Sequence, residues 1–175
     1  QGIYRAGDRP GTYNVLANLK QVAAGVGQKQ AARPDDYFGF GDAAELPKGK
    51  RAKAIKVAYP SRSTDWTFEG GGYRNTNGFA AEGDTFDADN VLVLRVQVVD
   101  AGYTDAAGSR VPESKFEGKG QATLFHNGRA IRGTWRKDGL DGALELTTKQ
   151  GDLVVPPGHT WLHLLPVANS NVTFE

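Results

Sequence analysis

Short stretches of alternating apolar and polar residues recur along most of the chain, and many of them end at glycine. The strongest stretch, 90–100, begins with Val and Leu at successive positions, which is typical of a central strand buried on both faces. Segments 54–59 and 160–166 alternate with a period of two, which predicts strands with one buried face. These patterns predict a domain that consists mainly of β-strands.

Turn sequences predict which strands are neighbours. Three hairpins are predicted: 64–68 with 72–75, 120–126 with 129–136, and 143–147 with 152–155. The second has the clearest signal, because Asn127 and Gly128 both tolerate the positive φ angles of a two-residue turn. The tail, residues 169–175, is predicted either to pair as a short edge strand or to fray.

One segment has a helical pattern instead. Apolar residues of 14–24 recur on one face with helical spacing, which predicts a helix near the N-terminus. Thr12 or Asn14 would cap its first turn, and Gly25 and Gly27 would end it.

The following polar stretch, 28–50, contains one aromatic run at 37–40 and is interpreted as a long connection that wraps the core. The predicted fold class is α+β and predominantly antiparallel β. We expect a twisted sheet or a partly closed barrel, with the helix packed on it.

Composition narrows the possible functions. The 175 residues carry a formal net charge of +1, so no basic field points to nucleic acid or to an anionic membrane. The chain contains no cysteine, which excludes disulfides, thiolate metal sites and cysteine nucleophiles. No apolar run reaches the length of a membrane span, so we expect no membrane insertion by this chain. Because it begins with Gln1 and contains no Met, we interpret it as a processed or trimmed product.

The three histidines do not suggest a metal site. His159 and His163 lie four residues apart in a predicted strand, so about 13 Å separates them. One metal ion cannot bind both at that distance. His126 comes just before a predicted turn, and all three are predicted to be surface or turn residues. No metal or cofactor is expected.

The acidic loop at 83–90 is a weak candidate for calcium. Asp84, Asp87 and Asp89 could offer oxygen ligands, which calcium prefers. The loop lacks the EF-hand pattern, and Asp also favours turns by bonding to nearby backbone. We therefore favour an ordinary turn before the strand at residue 90.

No catalytic residue is assigned. The sequence has no Gly-x-Ser-x-Gly motif, and the glycine run at 70–72 is not followed by the Lys-Ser or Lys-Thr of a phosphate loop. Several carboxylates neighbour turns, but sequence alone does not bring two of them together across a cleft. A cell-wall-active hydrolase with loop carboxylates stays open as an alternative.

Aromatic residues offer the best candidates for ligand binding. Trp66, Trp135 and Trp161 each lie in a predicted strand. They are predicted either to fill the core or to form a stacking platform for a sugar ring or peptide. Arg74, Arg132 or Arg136 would lie at the rim of this platform. Trp135 followed by Arg136 at a strand end is the best candidate, and Trp66 and Arg74 are further candidates.

Several motifs occur together in an order that resembles one known family. The segment GKGQATLFHNGRAIRGTWRK (118–137) resembles a pattern of the YerB-like bacterial lipoproteins, in which a strand, a turn and a strand ending in GTW follow one another. The segment PGHTWLHLLP (157–166) is similar to the closing motif of that family. Further matches in order and spacing are VAYP (57–60), Trp66, GYR (72–74) and NVLV (90–93). Residues 13–18 resemble another family segment, but Tyr13 replaces a His and Leu16 replaces a Tyr.

The resemblance, from about Tyr4 to Val167, implies a location more than a chemistry. Members of the YerB-like family are found in bacterial envelopes, include lipoproteins and are largely of unknown function. It implies that residues 1–50 are the end of an N-terminal region and that 51–175 are a β-rich C-terminal domain. We therefore expect a secreted or cell-envelope protein without catalytic activity.

The expected partners follow from that location. A cell-wall polymer, an envelope protein and the missing N-terminal segment of the same protein are the candidates, and nucleic acid is not. The two alternatives are the hydrolase named above and a purely structural domain of a larger envelope protein.

Overall fold

The structure, a computed structural model, describes residues 2–9, 14–26, 35–78, 80 and 83–175. The chain divides into two compact units, Gln1–Asp35 and Asp36–Glu175. No helix in the described part of the chain is long and apolar enough to cross a membrane.

The described residues of the first unit form two short strands and one helix. Strands β1 (Ile3–Arg5) and β2 (Val15–Ala17) pair antiparallel, and helix α1 (Leu19–Gly25) follows directly. The Asn14 side chain accepts a hydrogen bond from the Arg5 guanidinium at 2.7 Å, so it stabilises the strand pair and does not cap a helix.

The predicted helix at 14–24 is therefore wrong in its first turn. The helix begins only after Asn18, whose side-chain oxygen accepts a hydrogen bond from the Gln21 backbone N–H at 3.1 Å. Asn is among the strongest N-cap residues, and the residues before it use their backbone groups to pair with β1 instead. Thr12 and Gly27, the other predicted caps, lie outside the described residues.

The second unit contains the remaining described strands and a short 3₁₀ segment at Ala43–Glu45. The strands are β3 (Lys50–Arg51), β4 (Ala54–Ala58), β5 (Ser63–Glu69), β6 (Gly72–Asn75), β7 (Asp87–Ala88), β8 (Asn90–Thr104), β9 (Arg110–Lys115), β10 (Gly118–His126), β11 (Arg129–Lys137), β12 (Leu144–Thr148), β13 (Gly151–Asp152), β14 (Thr160–Pro166) and β15 (Asn171–Phe174).

These strands form two open sheets. The large sheet has the order β13-β12-β11-β10-β8-β14, with β3 also paired to β11 and β9 to β8. The small sheet has the order β15-β4-β5-β6-β7. Within these two sheets, all pairs of described strands are antiparallel except β14 with β8. The predicted fold class, with predominantly antiparallel strands in open sheets, is confirmed.

The predicted hairpins form where local turn chemistry specifies them. Asn127 and Gly128 both adopt positive φ, at 46° and 68°, between β10 and β11. Gly70 and Gly71 do the same between β5 and β6. The third hairpin, β12 with β13, also forms, although β13 is shorter than predicted.

The large sheet carries apolar residues on both faces, so the core has two clusters. One cluster lies between the two sheets and includes Ile55, Val57, Trp66, Tyr73, Val91, Val93, Phe125 and Leu165. The other lies on the opposite face and includes Leu92, Leu94, Val96, Leu124, Ile131, Trp135, Leu144 and Val155. Phe38 and Leu46 pack against the second cluster, so the described end of the predicted connection does cover the core.

Candidate functional site

Trp135 and Arg136 do not form one surface, because successive residues of a strand point to opposite faces. Trp135 is only 2% exposed, and its indole Nε1 donates a hydrogen bond to the Arg95 carbonyl at 3.0 Å. Arg136 is exposed and pairs with Asp138 at 2.7 Å. That hydrogen bond holds the pKa of the Asp138 carboxyl below its usual value. Trp135 thus occupies the core.

Trp66 and Arg74 also lie on opposite faces, because Arg74 on β6 pairs with Thr67, which follows Trp66 on β5. Trp66 is 1% exposed and lies in the cluster between the sheets. Arg74 is exposed and forms ion pairs with Glu69 at 2.7 Å and with Asp87 at 3.1 Å. The guanidinium is therefore already engaged by two carboxylates.

The acidic loop uses two of its three carboxylates within the fold. Asp87 accepts hydrogen bonds from Arg74 and from the Thr85 hydroxyl. Asp89 accepts one from the His159 backbone N–H at 2.7 Å, and Asp84 is exposed. No group of three potential metal ligands converges within the part of the chain that the structure describes. The ordinary turn stays the favoured prediction for this loop, and calcium stays its weak alternative.

Carboxylates do meet in one small cavity of about 280 Å³, which Glu69, Asp87 and Asp89 help to line. Glycoside hydrolysis needs one carboxyl that stays protonated near neutral pH. The hydrogen bond from Arg74 instead lowers the pKa of Asp87. This arrangement is an ion-pair network and supplies no general acid from Asp87.

The third tryptophan has a different environment. Trp161 is 37% exposed, and its ring contacts that of buried Trp66 nearly edge-on, with centroids 5.2 Å apart. Phe86, 39% exposed, lies beside it at 5.6 Å. These two exposed rings border a cavity of about 440 Å³, which we call the aromatic cleft. Its defining residues are Tyr59, Asn75, Asn77, Phe86, Trp161 and His163.

A buried histidine forms one wall of the aromatic cleft. His163 is 4% exposed, and its Nε2 lies 3.3 Å from the Trp66 indole nitrogen, while its Nδ1 lies 2.9 Å from the Tyr59 hydroxyl. Burial, with a smaller contribution from Arg62, lowers the pKa of His163 to about 4, so the ring is neutral at pH 7.

These contacts fix the tautomer. An indole N–H can only donate, so Nε2 of His163 accepts from Trp66. The neutral ring then carries its proton on Nδ1 and donates it to the Tyr59 oxygen. The Tyr59 hydroxyl keeps its own proton and can donate it to another acceptor.

Asn75, which also lines the cleft, carries a second donor. Its Nδ2 is buried and has no hydrogen-bond partner among the described residues, while its Oδ1 accepts from the Asn77 backbone at 3.2 Å. Gly78 allows this close packing, because a Cβ at that position would lie 2.5 Å from Asn75 Oδ1. A buried amide donor without a partner calls for an acceptor, which a bound ligand can supply.

The sequence prediction of a surface or turn residue is wrong for His163, whereas His159 is exposed as expected. One sequence signal does point to its burial. Alternation along β14 places His163 on the same face as Leu165, which is fully buried. Sequence reasoning also missed Phe86 and Asn75, which lie near strand ends with no motif around them.

Comparisons with known proteins agree with this fold. The family described as "Protein of unknown function (DUF3048) C-terminal domain" matches residues 54–162, and no curated protein matches the chain. The crystal structure of the YerB protein from Bacillus subtilis is similar, with a TM-score of 0.67 and 17% sequence identity. The match covers 98% of this chain and 59% of that chain.

At this level of identity the likeness to YerB shows the fold alone, and the chain spans 59% of the length of that protein. The division into 1–50 and 51–175 stays a prediction. The family match covers more than half of the chain and includes most of the aromatic cleft. The chain therefore belongs to the YerB-like DUF3048 family of unknown function, and residues 54–162 match the C-terminal domain of that family.

Proposed function

We propose that this chain is a non-catalytic binding domain of a secreted or cell-envelope protein, and that its aromatic cleft binds a sugar ring of a cell-wall polymer. The observation that carries the proposal is the partly exposed ring of Trp161, which packs against the buried ring of Trp66 and lines the same cavity as Asn75. The Nδ2 of Asn75 has no hydrogen-bond partner among the described residues.

The apolar part of the cleft suits a flat ligand. Trp161 and Phe86 together present two partly exposed rings that water does not solvate favourably. A sugar ring has an apolar C–H face that can cover such a surface, and its burial would contribute favourably. Trp161 cannot easily turn away, because its ring contacts both Trp66 and His163.

The polar part of the cleft suits hydroxyl and amide groups. Tyr59 and Asn75, which carry a hydroxyl and an amide donor, line the same cavity as Trp161. Ligand sites commonly combine apolar walls with a few such polar groups, which set orientation. No carboxylate lines the cleft among the described residues, and Arg62, its charged residue, lies over the Tyr59 ring at 5.5 Å. A sugar with hydroxyl or acetamido groups fits these donors.

Replacing Trp161 by alanine is expected to reduce retention on purified peptidoglycan at least about tenfold, which corresponds to about 1.4 kcal/mol of binding free energy. The change removes the exposed ring but not the buried Trp66. A pull-down with increasing amounts of peptidoglycan measures the effect. Trp161→Phe should keep most of the retention, because it keeps an aromatic surface.

The matched control is Tyr103→Ala. Tyr103 is 62% exposed on β8, and it does not line the aromatic cleft. This variant should bind like the unchanged protein. If Trp161→Ala and Tyr103→Ala are retained equally, or if the unchanged protein is not retained, the proposed function is wrong and a purely structural domain becomes the better account.

A further inference from the structure

A second and larger cavity, about 790 Å³, lies over part of the large sheet next to β15. The small sheet packs on the same face at Val91 and Val93, and the face continues beyond that contact with polar and charged side chains. We call this cavity the basic groove. Its defining residues are Arg95, Gln97, Lys119, Gln121, Arg132 and Thr134.

The basic groove carries three cations and, among the described residues that line it, no acidic side chain. None of the ion pairs in the described part of the chain includes Arg95, Lys119 or Arg132. Arg74 and Arg136, by contrast, are each paired with a carboxylate. Within the described residues, the groove therefore has a local positive charge that no ion pair neutralises.

Two of the cations are held in place by their neighbours. Arg95 donates two hydrogen bonds from one guanidinium nitrogen, to the carbonyls of Val167 at 2.8 Å and Ser170 at 2.9 Å. Arg132 lies over the Phe174 ring at 5.8 Å. These contacts reduce the conformational entropy that a ligand would have to remove, while leaving further N–H donors for it.

Strand geometry sets the spacing of the cations. Thr123 on β10 pairs with Arg132 on β11 and with Val93 on β8. Arg95 therefore lies two strands and two residues from Arg132, and Lys119 lies one strand and four residues from Arg132. With about 4.8 Å between strands and 3.4 Å per residue, the Cα atoms of the three cations are about 8 to 14 Å apart. This spacing fits a ligand with several anionic groups better than one small anion.

We propose that the basic groove binds an extended polyanion, a flexible chain that carries repeated phosphate or carboxylate groups. Arginine and lysine are the side chains best suited to both groups. The site shares no lining residue with the aromatic cleft, so this inference goes beyond the proposed function. Nucleic acid fits less well, because the net charge of +1 provides no extended basic surface.

The test measures fluorescence anisotropy of labelled long-chain polyphosphate and labelled poly-L-glutamate at low salt. The double variant Lys119→Gln/Arg132→Gln should weaken binding of the preferred polymer at least tenfold. The side chains of Lys119 and Arg132 are both exposed, so the double variant should keep the fold. A thermal melting curve of the variant checks this. The preferred polymer identifies phosphate or carboxylate as the group recognised.

The matched control is Lys56→Gln/Arg110→Gln, which removes one lysine and one arginine at exposed positions outside the groove. It should change affinity less than twofold. Equal losses in the two double variants, or no binding of either polymer, would overturn the proposal. It would also be overturned by inorganic phosphate binding as tightly as polyphosphate, or by a single-stranded DNA oligomer binding more tightly than both polymers.

Discussion

Replacing Trp135 by alanine is expected to lower the free energy of unfolding by about 4 kcal/mol, within the range of large-to-small changes at buried aromatic residues. The indole is 2% exposed and fills the cluster on the outer face of the large sheet, where it also contacts the ring of Phe116. Alanine would leave a cavity there and remove the hydrogen bond to the Arg95 carbonyl. Urea denaturation monitored by circular dichroism measures the change.

Trp135→Phe separates the two contributions. Phenylalanine keeps much of the ring volume but removes the indole donor, so we expect a loss of about 1 to 2 kcal/mol. Gly120 shows how closely the indole approaches the neighbouring strand, because a Cβ there would lie 2.5 Å from Trp135 Nε1. If Trp135→Ala changes the unfolding free energy by less than about 1 kcal/mol, the ring does not support the core.

The second large effect is a loss of stability in acid that comes from His163. Its pKa is about 4 in the folded protein and about 6.5 in the unfolded chain, so the unfolded chain binds the proton more readily. This contribution is fully present above pH 6.5 and disappears as the pH falls through 4. From pH 7 to pH 4 the unfolding free energy should therefore fall by about 3 kcal/mol on account of this residue.

A His163→Gln variant isolates this contribution. Glutamine can still accept a hydrogen bond through Oε1 but does not ionise, so the variant should lose less stability than the unchanged protein over this range. Carboxylates with a lowered pKa, such as Asp87 and Asp100, also destabilise the fold in acid, and both proteins share them. If urea denaturation at pH 7 and pH 4 gives equal losses for the two proteins, His163 is not buried as a neutral ring.

Much of the β fold could be predicted from the sequence because its turn signals are local. Asn127 and Gly128 specify a turn by their own backbone preferences, and the strands beside them follow. Strand β14 has the bounds that alternation predicts. The helix begins later than the predicted residue 14, because the Asn18 side chain caps it at residue 19. The residues before Asn18 have a pattern that also permits a strand.

The aromatic cleft could not be predicted in the same way. Tyr59 follows β4 and Asn75 ends β6 in the small sheet, whereas Trp161 lies on β14 of the large sheet. Only the packing of the two sheets brings these residues together. Alternation also assigns each tryptophan to a face without telling which face another sheet covers, so Trp135 and Trp161 could not be ranked by exposure.

The central claim is that Trp161 is the tryptophan that meets a sugar ligand, and the three indole N–H groups of the chain allow a direct test. In ¹H–¹⁵N correlation spectra, soluble peptidoglycan fragments should shift the Trp161 indole signal most. The indole signal of Trp66, whose ring contacts that of Trp161, should shift less. The indole signal of Trp135 should not shift. Trp161→Phe assigns the signal. If saturating fragments leave the Trp161 signal unchanged, or shift Trp135 instead, the aromatic cleft is not the sugar-binding site.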